Sequence, residues 1–245
     1  MSRVLERYFE DARRPLHILL FVAPLVIAYE VGLLLLYPRH PDILLNLAHE
    51  GLLRIFSTLG VTIGLGLPGF GLIVVLLLWQ ILSRDPWRPR WAVPLFMAVE
   101  SLISAMPLLV AAQLLARVVP AMGGEVDGRI AELDIWSKLV ISLGAGLYEE
   151  LVFRMLLIAV IHTVLVDVGR ASHAVGAGVA IAISAAVFTW YHPLAGPDGI
   201  ISLRRVAFFA IAGVYFGVLF VMRGFGIAVG AHVAYDAIVA LWLLE

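Results

Sequence analysis

Apolar runs of about 20 residues recur along this 245-residue chain, and that recurrence constrains the fold more than any other feature. A helix needs about 20 such residues to cross a bilayer core of about 30 Å, where every backbone polar group must find its partner inside the protein. Windows of this kind fall at 16–37, broken only by Pro24 and Glu30, and at 61–82, 91–115, 135–166, 173–192, 203–222 and 225–244. Residues 42–59 instead alternate apolar and polar side chains at helical spacing, which predicts an amphipathic helix lying at the interface. The expected architecture is an all-α polytopic transmembrane helical bundle of about seven spans (six to eight), plus that interfacial helix. Residues 1–245 are read as a single integral membrane domain.

Composition agrees: 62% of residues are hydrophobic and 14% charged, against about a quarter charged in soluble domains. A net charge of −1 supplies no basic field to recruit nucleic acid, so the expected surroundings are the lipid bilayer and partners within it. The absence of cysteine excludes disulfides, thiolate metal ligands and a cysteine nucleophile. The polar first 15 residues precede an apolar run too long for a signal-peptide core, so the N-terminus reads as retained. Residues 120–134 form the longest aqueous loop, the fifth window is rich in Ala and Gly, and no internal repeat is evident. Arg3, Arg7, Arg13 and Arg14 before the first window, with Arg84, Arg88 and Arg90 after the second, favour a cytoplasmic N-terminus. Seven alternating spans would put Arg204 and Arg205 on the far side. The expected location is a prokaryotic inner membrane, crossed several times.

Within these runs sit ionisable residues that cost about 2.5 to 3.5 kcal/mol each on insertion scales, so each raises a functional hypothesis. The fourth window carries Glu149, Glu150 and Arg154; the fifth ends in Phe188-Thr189-Trp190-Tyr191-His192; the seventh carries His232 and Asp236. Residues four apart on a helix share a face, whereas neighbours diverge by about 100°. Glu150 and Arg154 can therefore pair and offset each other's burial. Glu149 points elsewhere without a local cation, which suits a carboxylate that accepts and returns a proton. His232 and Asp236 share one face and can act jointly on something between helices. Taken alone, a Glu–Arg pair is often a helix staple and a histidine at a helix end often interfacial. Two carboxylates and two histidines within ninety residues is a stronger pattern.

Other polar residues carry less. Glu30, Glu100 and Gln113 have no charged partner at helical spacing and read as structural hydrogen-bonding groups or lining of the same cavity. His162 and His173 flank a loop and read as solvated. His49-Glu50-Gly51-Leu52-Leu53 begins like a zinc-protease helix but has Leu53 where the second histidine belongs. Gly64-Leu65-Gly66 lacks the third glycine and the strand of a dinucleotide site.

The pattern Glu149-Glu150-x-x-x-Arg154, then Phe188-x-x-x-His192, then His232-x-x-x-Asp236 resembles the CPBP family of intramembrane proteases, also called the CAAX protease and bacteriocin-processing or Abi family. The motifs span 149–236 within an expected catalytic core at 135–245, and each alone is weak. The resemblance implies hydrolysis of a peptide bond in a membrane-associated protein or peptide substrate. It implies Glu149 as the base that activates a water, assisted by His192, and His232 with Asp236 stabilising the oxyanion. Glu150 and Arg154 would hold the helix and orient Glu149, with Phe188 packed beside the site.

The position of Asp236 is Asn in the prenyl endopeptidases, and an ionised Asp only accepts hydrogen bonds. Asp236 is then either protonated or the group that orients His232. No cofactor is the preferred reading; zinc, bound by Glu149, His192, His232 and Asp236, is the alternative, with a metal-bound water as nucleophile. Two other classes compete: a proton-coupled transporter using Glu149, the histidines and Glu100 as a relay, and a non-catalytic scaffold or immunity protein. Neither inverted repeats nor paired broken helices support transport.

Overall fold

The computed structural model describes residues 2–38, 45–61, 64–119, 132–196 and 199–243. Nine helices follow along these residues: α1 (Ser2–Asp11), α2 (Pro15–Leu36), α3 (Leu47–Thr58), α4 (Leu67–Ser83), α5 (Ala92–Val118), α6 (Ile135–Val168), α7 (His173–Tyr191), α8 (Leu203–Arg223) and α9 (Phe225–Ile238). A π-helical turn, Val239–Leu243, prolongs α9. The described residues contain no strand, only an isolated bridge between Ala195 and Ile201. The expected all-α bundle is therefore the observed one. Five helices, α2, α5, α6, α7 and α8, are long and apolar enough to cross a membrane, and α4 and α9 are shorter apolar helices.

Helix starts follow local chemistry. Asp134 caps α6, accepting from the backbone N–H groups of Trp136 at 2.9 Å and Ser137 at 3.2 Å. Hydrogen bonds from Ser137 hold its carboxyl below the ordinary carboxylate range. The window expected at 61–82 begins later, at Leu67. Gly60 and Gly64 adopt positive φ there, a left-handed turn that ends one helix, and Pro68 sits in the first turn of the next. The amphipathic segment expected at 42–59 is helical over Leu47–Thr58, while residues 39–44 lie outside the described set. Most of the loop expected at 120–134 also lies outside it.

α9 is the central helix. Phe225, Ile227, Ala228, Val229 and Ala231 are all fully buried, the signature of a helix apolar on every side. One residue, Gly224 at φ +87°, turns the chain from α8 into α9. α9 packs against α5, α6 and α8, and close approach to α6 depends on Gly146. A Cβ there would overlap the Val233 side chain and lie 2.8 Å from the Val233 nitrogen. Backbone contact at this point brings the middle of α6 against the middle of α9.

Polar clamps fasten the ends. Glu100, which has no charged partner at helical spacing, accepts from Arg223 Nε at 2.5 Å and Nη2 at 2.9 Å and from the Tyr8 hydroxyl at 2.5 Å. These partners lie 123 and 92 residues away in the chain, beyond the reach of helical spacing. α1, which precedes the first expected window, docks through this contact while Leu5 and Phe9 stay exposed. Arg90 meanwhile pairs with Asp11 at 2.5 Å. At the opposite end Arg204 donates to the Ala116 carbonyl at 3.2 Å. Gln113 is exposed, and His162 and His173 stack on each other with ring centroids 5.4 Å apart.

α3 is held by one buried imidazole. His49 Nδ1 lies 2.8 Å from the Tyr29 hydroxyl, and Nε2 lies 2.9 Å from the Leu65 carbonyl. The carbonyl can only accept, so Nε2 carries a proton, and in the neutral imidazole Nδ1 then accepts from the Tyr29 hydroxyl. Burial pushes this imidazole from 6.5 down to about 4. The folded state thus binds fewer protons than the unfolded chain. The contribution is complete above pH 6.5 and is lost as pH falls from there toward 4. His49→Gln removes the titration, so the stability of wild type relative to this variant should drop by about 2 kcal/mol between pH 7.5 and pH 5. Thermal unfolding in detergent at the two pH values measures it.

Candidate active site

The middle of α6 departs from ordinary helix geometry. Ala145–Ile158 is π-helical, with α-helical turns on either side. Such wide turns are rare and frequent at functional sites, and they hold more residues per turn, so neighbours diverge by less than 100°. Gly146–Leu151 are buried without a break, so this stretch is enclosed on every side and both Glu149 and Glu150 are interior, at 5% and 0% exposure. Arg154 Nη1 lies 3.2 Å from Glu150 Oε1, and both side chains are fully buried. The expected pair is present. Its guanidinium also sits 4.2 Å over the Phe188 ring and 5.5 Å from the Phe216 ring, with Nη2 3.5 Å from the Gly213 carbonyl.

Glu150 does more than neutralise Arg154. The same Oε1 lies 2.7 Å from His232 Nδ1. A carboxylate accepts there, so Nδ1 carries a hydrogen and Nε2 is turned toward the cavity. Nε2 lies 3.5 Å from Asp236 Oδ2, as expected for residues sharing a face, and 3.9 Å from Glu149 Oε2. His192 lies just past the end of α7, and its ring folds back over the last turn so that Nδ1 donates to the Phe188 carbonyl at 2.8 Å. Its Nε2 is then 3.6 Å from Glu149 Oε2. That return of the ring is how a residue at a helix end meets one 14 positions inside α6, counting from Ile135 to Glu149.

Glu149, His192, His232 and Asp236 border one half-open cavity of about 70 Å³, whose remaining wall is aromatic and apolar: Phe188, Phe208, Phe209, Phe216 and Tyr235 among them. Glu149 Oε2 is buried without a hydrogen-bond partner, facing both Nε2 atoms. Three carboxylates and one guanidinium share the site, so its charge balances only with protons on its histidines or carboxyls, and those titrations are coupled. Among the described residues, no three of His, Cys, Asp or Glu are placed to hold one metal ion. Sequence spacing could not expose the aromatic supports. Phe209 stacks on His192 and Phe216 on His232, and Tyr191, next to His192, interacts with Glu149 and with the backbone of Ala48.

A family model described as Type II CAAX prenyl endopeptidase Rce1-like matches residues 131–238, which contain all three motifs. This segment is similar to the CPBP/CAAX protease family over the stretch that carries the site. The matched segment covers 108 of the 245 residues (238 − 131 + 1), from the end of the 120–134 loop to the last turn of α9. Helices α1 to α5 lie outside the match, although Leu108 of α5 lines the cavity. No curated protein and no solved structure matches the chain.

Proposed function

We propose that this protein is an intramembrane endopeptidase in which Glu149 activates a water against a peptide bond of a membrane-associated protein or peptide. The observation that carries this reading is the unpartnered, buried Oε2 of Glu149, aimed between two imidazole nitrogens in a cavity. His192, with its proton committed to the Phe188 carbonyl, offers Nε2 as an acceptor that helps orient the water. Glu149 removes one water proton as the oxygen bonds to the carbonyl carbon. The charge that develops on the carbonyl oxygen is met by His232, whose Nε2 is a donor in the imidazolium form. Collapse of the tetrahedral intermediate breaks the C–N bond, and the proton held by Glu149 passes to the leaving amine. Asp236, within 3.5 Å of Nε2, orients His232 and favours its charged form, the second of the two roles open to it.

Metal-free hydrolysis is part of this proposal, and the test is direct. Purified protein in lipid nanodiscs is assayed for cleavage of a membrane-anchored reporter peptide with and without a zinc chelator. Activity is expected to persist in the chelator. Loss of activity that returns on adding zinc would contradict the glutamate mechanism in favour of the metal-dependent one.

We place the N-terminus in the cytoplasm, because Arg7, Arg13 and Arg14 precede α2 while Arg84, Arg88 and Arg90 follow α4. Gly32 of α2 meets Val140 near the start of α6, and Tyr29 meets Gly144. The site then occupies the half of the bundle away from α1.

A further inference from the structure

Helix α8 carries none of the three motifs, yet it lies against both histidines. Phe209 stacks on His192, with centroids 4.0 Å apart and planes 22° from parallel. Phe216 stacks on His232 at 4.6 Å and 14°. The two phenylalanines are seven residues apart, two helical turns, and so lie on one face. Ala212, between them on the same face, lines the cavity. Small residues permit the approach: a Cβ on Gly213 would lie 2.8 Å from the Ala185 Cα of α7, and one on Gly217 would lie 3.0 Å from the Ile181 side chain.

His192 is tied by a single hydrogen bond, through Nδ1 to the Phe188 carbonyl, and His232 by one through Nδ1 to Glu150, with Asp236 Oδ2 3.5 Å from its Nε2. A single hydrogen bond fixes one corner of a ring and leaves its plane free to swing, because the terminal torsion of histidine is broad. A flat ring in parallel contact removes that freedom, so the hydrogen bond and the stack together aim Nε2 into the cavity. Resting on the roles proposed above for the two histidines, we propose that Phe209 and Phe216 are positioning residues that set the planes of His192 and His232. α8 is thereby part of the catalytic machinery without touching the reacting atoms. Phe216 also faces Arg154, whereas Phe209 makes no contact with that cation, so Phe209 is the cleaner position to change.

The test uses full-length protein in nanodiscs. Phe209→Leu keeps apolar volume and removes the flat face; Phe209→Tyr keeps the face. With the reporter peptide, Phe209→Leu should lower kcat about tenfold with KM within about twofold, and Phe209→Tyr should stay within about twofold of wild type in both. Histidine-labelled protein supplies a readout independent of turnover, with His192 assigned by its loss in His192→Gln. The His192 ring resonance should shift and its ring should become more mobile in Phe209→Leu, while His232 is unmoved. An unmoved, equally rigid His192 ring in Phe209→Leu overturns the proposal, as does a Phe209→Tyr variant as impaired as Phe209→Leu. Wild type without peptide hydrolysis overturns the protease reading alone; the ring signals then decide the positioning role by themselves.

Discussion

Glu149→Gln should abolish peptide hydrolysis, lowering kcat by at least about 10³-fold, while leaving the protein folded. The side chains are nearly isosteric, and Glu149 Oε2 has no hydrogen bond to lose, so an amide there keeps the shape of the site and gives up only the longer approaches to the His192 and His232 Nε2 atoms, at 3.6 Å and 3.9 Å. What the amide lacks is the capacity to take a proton from water and return it to the leaving amine. Equal thermal stability with lost turnover is therefore the expected pair of results. A variant that turns over like wild type would remove Glu149 from the reaction.

Arg154→Met should have the largest effect on stability. It leaves the Glu150 carboxylate fully buried with no cation beyond whatever proton His232 carries, and breaking a buried pair from one side costs about 3 to 5 kcal/mol. It also removes the guanidinium stacked 4.2 Å from Phe188. Melting in detergent should drop by roughly 10 °C. Arg154→Lys should recover little, because an ammonium cannot lie flat on the ring while reaching Glu150 and the Gly213 carbonyl. Adding Glu150→Gln to Arg154→Met should restore part of the stability, because the uncompensated charge is gone. No recovery in the double variant would mean that packing of Arg154 against Phe188 and Phe216, rather than charge, holds this part of α6.

Local spacing made some of the site legible. Residues four apart on a helix predict the Glu150–Arg154 and His232–Asp236 contacts, and both are present, at 3.2 Å and 3.5 Å. Apolar runs likewise place α2, α5, α6, α7 and α8 within a few residues of their ends. Contacts that cross the bundle leave no such trace. Glu150 reaches His232 over 82 residues, and Glu100 reaches Arg223 over 123, because helix packing and not periodicity brings them together. The π-helical turns of α6 are equally silent in the sequence, as is the enclosure of Gly146–Leu151 on every side, which buries Glu149 and Glu150 alike. Phe209 and Phe216 read as ordinary apolar residues of a span until the histidines they stack on are placed beside them.

The most direct measurement compares the termini of membrane proteins in cells carrying the wild-type chain with those in cells carrying Glu149→Gln at equal abundance. Hydrolysis by a Glu149-activated water predicts a set of internal termini, near or within membrane segments, that are present with wild type and absent with the variant. Identical termini in the two, with the wild-type protein folded and present, would contradict it.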